Sequence, residues 1–181
     1  KAYMDEWGVP EEDLTAIAVA EYENARQNPY AQMQKNEVTL ETAMKIEGIN
    51  RYVVEGLPLK TYDASQISDG YAGMILATEE GLARLGVAKA DCVLLAGWGQ
   101  ATDPLKKEGR DVLRPKAALA AMRAAYRRAG VAPFDVNVAE VHDCFSVMGA
   151  IGAEVIGKAE TGMGARYWRD GKARVDGECG I

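Results

Sequence analysis

Residues 136–157 read VNVAEVHDCFSVMGAIGAEVIG and pass from one kind of pattern to another. The first six residues form an aliphatic run that predicts a strand, and the last twelve, rich in small residues, predict a helix. Between them lies HDCF, residues 142–145, which we call the HDCF turn. It holds the single histidine of the chain, His142, and one of its three cysteines, Cys144. A strand that leads through a short turn into a helix is a building unit of α/β folds.

The same alternation of strand and helix is predicted on the N-terminal side of this stretch. Continuous apolar runs at 71–77 and 91–99 predict strands that are buried on both faces of a sheet. Helices are predicted over 10–27, 39–47, 79–85, 115–130 and 146–157. Residues 28–63 are otherwise loop-rich, and residues 162–181 are predicted to form a loop or hairpin with a turn at Gly171. This order of elements predicts an α/β fold with a buried sheet.

Composition argues against several classes of protein. The 181-residue chain has a formal net charge of −6, which disfavours a nucleic-acid surface, and no apolar run is long enough to predict a membrane span. Three cysteines do not make a disulfide framework. Six Arg and Lys residues between positions 110 and 128 form either a solvated helix face or a patch for an anionic ligand such as a nucleotide phosphate. The chain opens KAYMDEWGVP and closes DGECGI, so we expect both ends to be cut.

The residues of the HDCF turn leave three interpretations open. Side chains two apart in an extended segment point to the same side, so His142 and Cys144 could address one cavity while Asp143 anchors the turn. A catalytic pair is favoured by the place of the turn, at the carboxyl end of a strand and before a helix whose N-terminus stabilises a thiolate. A metal site needs at least three protein ligands, and the chain has no second histidine and no CxxC motif. The third interpretation is a core histidine and a buried cysteine without chemistry.

Three stretches, in this order, resemble the thiolases, and most closely the sterol-carrier-protein-type thiolases and their archaeal and bacterial acetoacetyl-CoA relatives. They are LPLKTYDASQISDGYAGMILATEE (57–80), VAEVHDCFSVMGAIGAEVIGKAETG (138–162) and the approach to DGECGI (176–181). The resemblance covers about residues 55–181 and implies a thiolase fold, with two similar halves in αβαβα layers. Residues 1–65 would then belong to a loop domain, 66–88 to the last strand and helix of the N-terminal half, and 89–181 to the first part of the C-terminal half.

The resemblance also implies a role for each residue of the turn except Asp143. His142 would help to stabilise the thioester oxygen as negative charge develops on it. Cys144 would be the acid/base that moves the α-proton of the acetyl group, and Phe145 would line the acyl pocket. The cysteine that carries the acyl group would precede Lys1, and a Gly-His-Pro turn would follow Ile181. No metal and no cofactor is implied, because coenzyme A thioesters are the substrates.

The activity that the resemblance implies is that of a thiolase-type acyltransferase: thiolysis of 3-oxoacyl-CoA, as in fatty acid β-oxidation, or Claisen condensation of acetyl-CoA units. The partners would be acyl-CoA, coenzyme A and further copies of the protein in a homodimer or larger oligomer. The compartment would be the cytoplasm of a prokaryote, or the peroxisome or mitochondrial matrix of a eukaryote. Alternatives are a non-catalytic thiolase-like subunit or lipid-binding module, and a sibling that cleaves steroid side chains by retro-aldol chemistry.

Three positions depart from the family pattern or lie outside its chemistry. Tyr71 stands where the family more often has a small residue, and it puts a bulky group near a tight packing site. Cys179, in DGECGI, has no counterpart and is interpreted as structural. Glu154, on the helix after the turn, is assigned no catalytic role.

Overall fold

The computed structural model describes residues 1–106 and 110–181, which form helices joined by turns and extended segments. In chain order the helices are α1 (Ala2–Trp7), α2 (Glu11–Gln27), α3 (Leu40–Met44), α4 (Glu79–Leu85), α5 (Lys116–Ala129), α6 (Ser146–Val155) and α7 (Gly164–Arg169). Short 3-10 turns lie at Thr61–Asp63, Lys89–Asp91 and Pro133–Asp135. In the part of the chain that is described, no helix combines the length and the apolar character needed to cross a bilayer.

The helices predicted over 10–27, 39–47, 79–85, 115–130 and 146–157 are confirmed, although α3 ends three residues earlier than predicted. Their ends follow local chemistry. The Thr78 hydroxyl accepts a hydrogen bond from the Gly81 amide at 3.1 Å and so caps the N-terminus of α4. Gly86 and Gly130 end α4 and α5 with φ angles of 65° and 69°, a left-handed conformation that glycine adopts without steric cost.

Helix α7 corrects the prediction of a loop or hairpin over residues 162–181. The local sequence is rich in glycine and would not form a helix by itself. Tyr167 and Trp168 are buried, however, and the Trp168 indole donates to the Gly149 carbonyl at 3.1 Å. Burial of these two rings stabilises a six-residue helix against its weak propensity. The turn predicted at Gly171 is confirmed, with φ at 77°.

The core lies where α2, α6 and α7 meet, and α1 covers one side of it. Ile17, Ala150 and Trp168 are among the fully buried residues of this cluster. Gly164 lets α7 approach α6 closely, because a Cβ at this position would collide with the Ala150 carbonyl. The Glu154 carboxylate accepts hydrogen bonds from the Tyr3 hydroxyl and from the Gly164 amide. Glu154 therefore joins three helices.

A sheet is not seen among the described residues, so the layered αβαβα arrangement expected of the chain is not confirmed. The segments 71–77 and 92–99 have no regular secondary structure, and their apolar side chains are exposed; Tyr71 and Val93 are fully so. A strand needs a neighbour to receive its backbone hydrogen bonds, and in the described residues the pairing is limited to isolated bridges. The division into segments 1–65, 66–88 and 89–181 stays a prediction.

The third predicted strand, 136–141, pairs with one residue near the end of the chain. The Ala139 amide donates to the Gly180 carbonyl at 2.9 Å, and the Gly180 amide donates to the Asn137 carbonyl at 3.0 Å. These two bonds form a parallel bridge between Val138 and Gly180. The extended segment that leads to the HDCF turn is therefore fixed at its middle.

Candidate functional site

The HDCF turn connects this extended segment to the first turn of α6. Before the turn, Val141 packs on α6 so closely that a Cβ on Gly152 would lie 3.0 Å from its side chain. After the turn, the Phe145 carbonyl accepts the amides of Met148 and Gly149 at 2.7 and 3.3 Å, which starts the helix. The backbone on both sides of the turn is thus held by α6.

A second segment holds the turn from outside the helix. The Ser65 amide donates to the Cys144 carbonyl at 3.0 Å, and Ala64 and Phe145 form an antiparallel bridge. One residue further on, the buried Ser146 hydroxyl donates to Asp63 Oδ1 at 3.2 Å. Residues 63–65 therefore fix the backbone of the second half of the turn.

Asp63 is in turn held by a buried lysine. The Lys60 side chain is 0% exposed, and its Nζ lies 2.8 Å from both Glu11 Oε1 and Thr15 Oγ1, and 3.1 Å from Asp63 Oδ2. The Lys60 amide also donates to Asp63 Oδ2 at 2.8 Å. A buried ammonium is tolerated when its donors are paired in this way. The network of Glu11, Lys60, Asp63 and Ser146 links the start of α2 to the start of α6.

The three predicted site residues lie within four positions of the chain and differ in exposure. His142 is exposed, Cys144 is partly buried, and Phe145 is 39% exposed. Among the hydrogen bonds of residues 1–106 and 110–181, none joins the side chains of His142 and Cys144. Their catalytic roles, and the place of Phe145 in an acyl pocket, stay predictions.

The other two cysteines lie away from the turn and differ from each other. Cys179 is fully buried and burial raises the pKa of its thiol, whereas Cys92 is exposed. Over the described ranges, no three His, Cys, Asp or Glu side chains come together as a metal site would require.

A cavity of about 330 Å³, which we call the turn cavity, lies between α2, residues 31–33 and residues 62–68. Its wall includes the rings of Tyr22 and Tyr62, the Met33 side chain, and Ser65. From the HDCF turn, Asp143 contributes to this wall. The volume falls in the range of small-molecule sites, and the lining combines aromatic, aliphatic and polar groups.

Glu21, on α2, and Asp143, in the HDCF turn, both line the turn cavity. The pKa of Glu21 is raised from 4.5 to about 8, first by burial and then by the negative charges of Asp143 and Asp63 and a hydrogen bond with the Asp143 carboxyl. Two carboxyl groups form such a bond only when one of them carries a proton. Within residues 1–106 and 110–181, Glu21 Oε1 is shielded from solvent and has no hydrogen-bond partner.

Sequence reasoning missed both Glu21 and Lys60. A signal existed for Glu21: it lies four residues after Ile17 and seven after Leu14, so the helical period places it on the buried face of α2. An acidic residue on that face should have been identified as a group with altered titration. Lys60 had no such signal, since it lies in a loop-rich segment whose burial follows from tertiary packing.

The sequence of this chain matches one protein-family model and several characterised proteins. Residues 99–181 match the family described as "Thiolase C-terminal domain-like". Over 181 residues the chain is 36% identical to an acetyl-CoA acetyltransferase of Methanothermobacter thermautotrophicus, and it spans 45% of that protein. It is 28% identical to sterol carrier protein 2 of Oryctolagus cuniculus, with 91% of this chain and 29% of that protein covered. The chain thus spans about half the length, or less, of these curated relatives.

The fold has a counterpart among solved structures. A chain of the Ltp2-ChsH2(DUF35) aldolase superposes with a TM-score of 0.79, covering 99% of this chain and 46% of that one, at 22% sequence identity. This likeness concerns the fold.

Proposed function

Because this chain belongs to the thiolase superfamily, we propose that the protein is an acyl-CoA-dependent acyltransferase, which thiolyses 3-oxoacyl-CoA or condenses acetyl-CoA units in the reverse direction. The observation that carries the proposal is the intact HDCF turn, held at its two ends by α6 and by residues 63–65. The acetyltransferase relative supports this class of reaction. Since the chain spans about half of that relative, the activity is proposed for the whole protein.

In the proposed thiolysis, a cysteine from another part of the protein attacks the 3-oxo carbon. The bond between the 3-oxo carbon and the α-carbon then breaks, and its electron pair stays on the α-carbon of the leaving acetyl-CoA. Cys144 gives its thiol proton to that carbon, and in the condensation direction the Cys144 thiolate takes a proton back from it. The His142 imidazole donates a hydrogen bond to the thioester oxygen, which carries the charge of the enolate. The thiol of free coenzyme A then gives its proton to the Cys144 thiolate and attacks the acyl carbon, and the nucleophilic cysteine leaves as the thiolate that began the cycle.

The test is thiolysis of acetoacetyl-CoA by the full-length protein. Cys144→Ala removes the proposed acid/base and is expected to lower kcat by roughly 10²–10⁴-fold, the usual contribution of a positioned proton donor. Cys92→Ala is the matched control, because Cys92 is exposed and lies away from the turn; its kcat should stay within about twofold. Equal activity of the two variants would exclude Cys144 as the acid/base.

A second candidate is carbon–carbon cleavage by retro-aldol chemistry without an acylated cysteine. It is favoured by the fold likeness to a chain of an aldolase complex, and the likeness to sterol carrier protein 2 keeps a lipid-binding module as a further alternative. Mass spectrometry of the full-length protein with acetyl-CoA separates them. The acyltransferase gains one acetyl group on a cysteine, whereas a retro-aldolase or a binding module gains none.

A further inference from the structure

We propose that Asp63 is a positioning residue for Cys144, the acid/base of the proposed reaction. Asp63 acts without touching the substrate, because it fixes the backbone from which the Cys144 thiol projects. The catalytic part of this inference rests on the proposed function. The contacts of Asp63 are a property of this chain, and they can be tested without any substrate.

The backbone of the HDCF turn pairs with a short segment from outside α6. The Ser65 amide donates to the Cys144 carbonyl at 3.0 Å. One residue along, Ala64 lies opposite Phe145 in an antiparallel bridge. Successive residues of an antiparallel pair lie opposite each other in a fixed register. The place of Ser65 along its own segment therefore sets the place of the Cys144 backbone.

The next residue pair, Asp63 and Ser146, continues this register through side chains. The Ser146 hydroxyl donates to Asp63 Oδ1 at 3.2 Å, and both residues are buried. Ser146 is also the first residue of α6. A buried hydrogen bond that loses one partner leaves the other polar group unsatisfied, so this contact opposes displacement of one segment along the other. Asp63 thereby keeps residues 63–65 aligned with the turn.

The second oxygen of the Asp63 carboxylate is held by Lys60. Asp63 Oδ2 accepts a hydrogen bond from the Lys60 amide at 2.8 Å and lies 3.1 Å from Lys60 Nζ. A carboxylate at this depth needs an opposite charge close to it, and the buried ammonium supplies that charge. The orientation of the Asp63 carboxylate is therefore fixed from two sides, by Lys60 and by Ser146.

Lys60 connects this arrangement to α2, a helix of the core. Its Nζ donates to Glu11 Oε1 and to Thr15 Oγ1, each at 2.8 Å. Thr15 is fully buried, and Ile17, on the same helix, lies in the core cluster that α6 and α7 also form. The turn is therefore tied to the core twice, directly through α6 and through α2 by way of Lys60 and Asp63.

The position of the Cys144 thiol matters because a proton donor acts at short range. A general acid must come within hydrogen-bond reach of the atom that takes its proton, at about 2.6–3.2 Å or through one water. Displacement of a reacting group by about 1 Å can lower a rate about 100-fold. Cys144 is partly buried, and its thiol moves with its backbone. Weaker alignment of residues 63–65 should therefore lower kcat more than it raises KM.

Three substitutions separate positioning from general stability. Ser146→Ala removes the hydroxyl that binds Asp63 and leaves the ion pair of Lys60 and Asp63 in place. Ser146→Thr keeps the hydroxyl and is the conservative variant. Thr78→Ala is the matched control, because the Thr78 hydroxyl also holds the start of a helix, α4, and its loss removes a hydrogen bond of the same kind.

The first measurement is hydrogen exchange of the Ser65 amide in the full-length protein, the amide that donates to the Cys144 carbonyl. In Ser146→Ala we expect this amide to exchange about 3–10-fold faster than in wild type, a change equivalent to the loss of one hydrogen bond. In Ser146→Thr and in Thr78→Ala its exchange should stay within about twofold of wild type.

The second measurement is thiolysis of acetoacetyl-CoA by the same proteins. Ser146→Ala should lower kcat roughly tenfold with less than about a twofold change in KM, and Ser146→Thr should restore kcat to within about threefold of wild type. When Cys144→Ala is already present, adding Ser146→Ala should change kcat by less than about twofold, because the group that Asp63 positions is gone.

The proposal is overturned if Ser146→Ala leaves the exchange of Ser65 or kcat within twofold of wild type, or if its loss of kcat recurs in the Cys144→Ala protein. An equal loss in Thr78→Ala would overturn it too, since the effect would then follow general stability. If Ser146→Ala does not fold, Asp63→Asn is compared with and without Cys144→Ala in its place. An inactive wild type with the expected exchange pattern would refute the proposed function and leave the contacts of Asp63 established.

Discussion

The buried lysine allows the sharpest test of how the site is supported. Lys60→Met keeps the length of the side chain and removes the ammonium group. Two carboxylates and one hydroxyl lose their partner, and the most affected is Asp63, whose side chain is 3% exposed. Removing one member of a buried ion pair leaves an uncompensated charge and costs about 3–5 kcal/mol of the free energy of unfolding.

Lys45→Met is the matched control, because it removes the same group from the surface. Lys45 Nζ lies 2.6 Å from Glu41 Oε1, but the two side chains are 53% and 79% exposed. Such a pair is solvated in both the folded and the unfolded states, and its loss costs about 0.5 kcal/mol or less. Two ion pairs of similar length thus predict losses that differ by roughly a factor of ten.

The assay is the thermal unfolding midpoint, Tm, of the full-length protein and its variants. One kcal/mol shifts the Tm of a domain of 150–250 residues by about 2–4 °C, so Lys60→Met should fall by roughly 6–20 °C and Lys45→Met by about 2 °C or less. A double variant, Lys60→Met with Asp63→Asn, should lose less than the sum of its single changes, because it leaves no unpaired carboxylate at position 63. Equal Tm values for the two lysine variants would refute the reasoning.

Three further outcomes follow from particular residues. Gly162→Ala should lower the free energy of unfolding by about 2–4 kcal/mol in denaturant unfolding, since φ is +85° and a Cβ would lie 2.5 Å from the Trp7 ring. Gly8→Ala is the control, because its φ is +64° but a Cβ would enter open space; it should cost about 1–2 kcal/mol. Cys179 should resist iodoacetamide at pH 8 in the native protein and react after denaturation, because it is buried and the pKa of its thiol is raised; labelling of native Cys179 would contradict this. The pKa of Glu21 is raised from 4.5 to about 8, so the folded state holds this proton more tightly than the unfolded state, and stability falls as pH rises between these values. Glu21→Gln should therefore flatten the dependence of Tm on pH between pH 4.5 and 8. An unchanged dependence would contradict the shift.

Helices with local signals could be predicted from the sequence. Thr78 and Gly86 are the cap residues of α4, and the alanine-rich α5 ends at Gly130 as expected. Helix α7 could not be predicted, because Trp168 stabilises it through contacts with α6, more than ten residues earlier in the chain. A short helix that depends on such contacts leaves no periodic pattern in its own six residues.

The predicted strands show a different limit of local reasoning. Residues 91–99 have the continuous apolar pattern of a strand buried on both faces, but no strand is assigned there in the structure. Whether a segment is buried depends on the residues that pack against it, and the side chains of Val93 and Leu94 are exposed in the described structure. The predicted strand is therefore not confirmed here, because a strand and the layers of the fold depend on strand partners that the segment does not specify.

The candidate site shows the same contrast between residues that a local sequence pattern identifies and residues that only tertiary packing brings to the site. The candidate residues His142 and Cys144 could be picked out from the sequence because they are rare and follow a strand pattern; their catalytic roles stay predictions. Two other charged residues of this region, Lys60 and Glu21, come from distant segments and differ in what they contact. Lys60 acts through Asp63 on the start of α6 with paired opposite charges, which hold the backbone firmly. Glu21 lines the turn cavity together with Asp143, and its pKa is raised by burial and by the negative charges of Asp143 and Asp63.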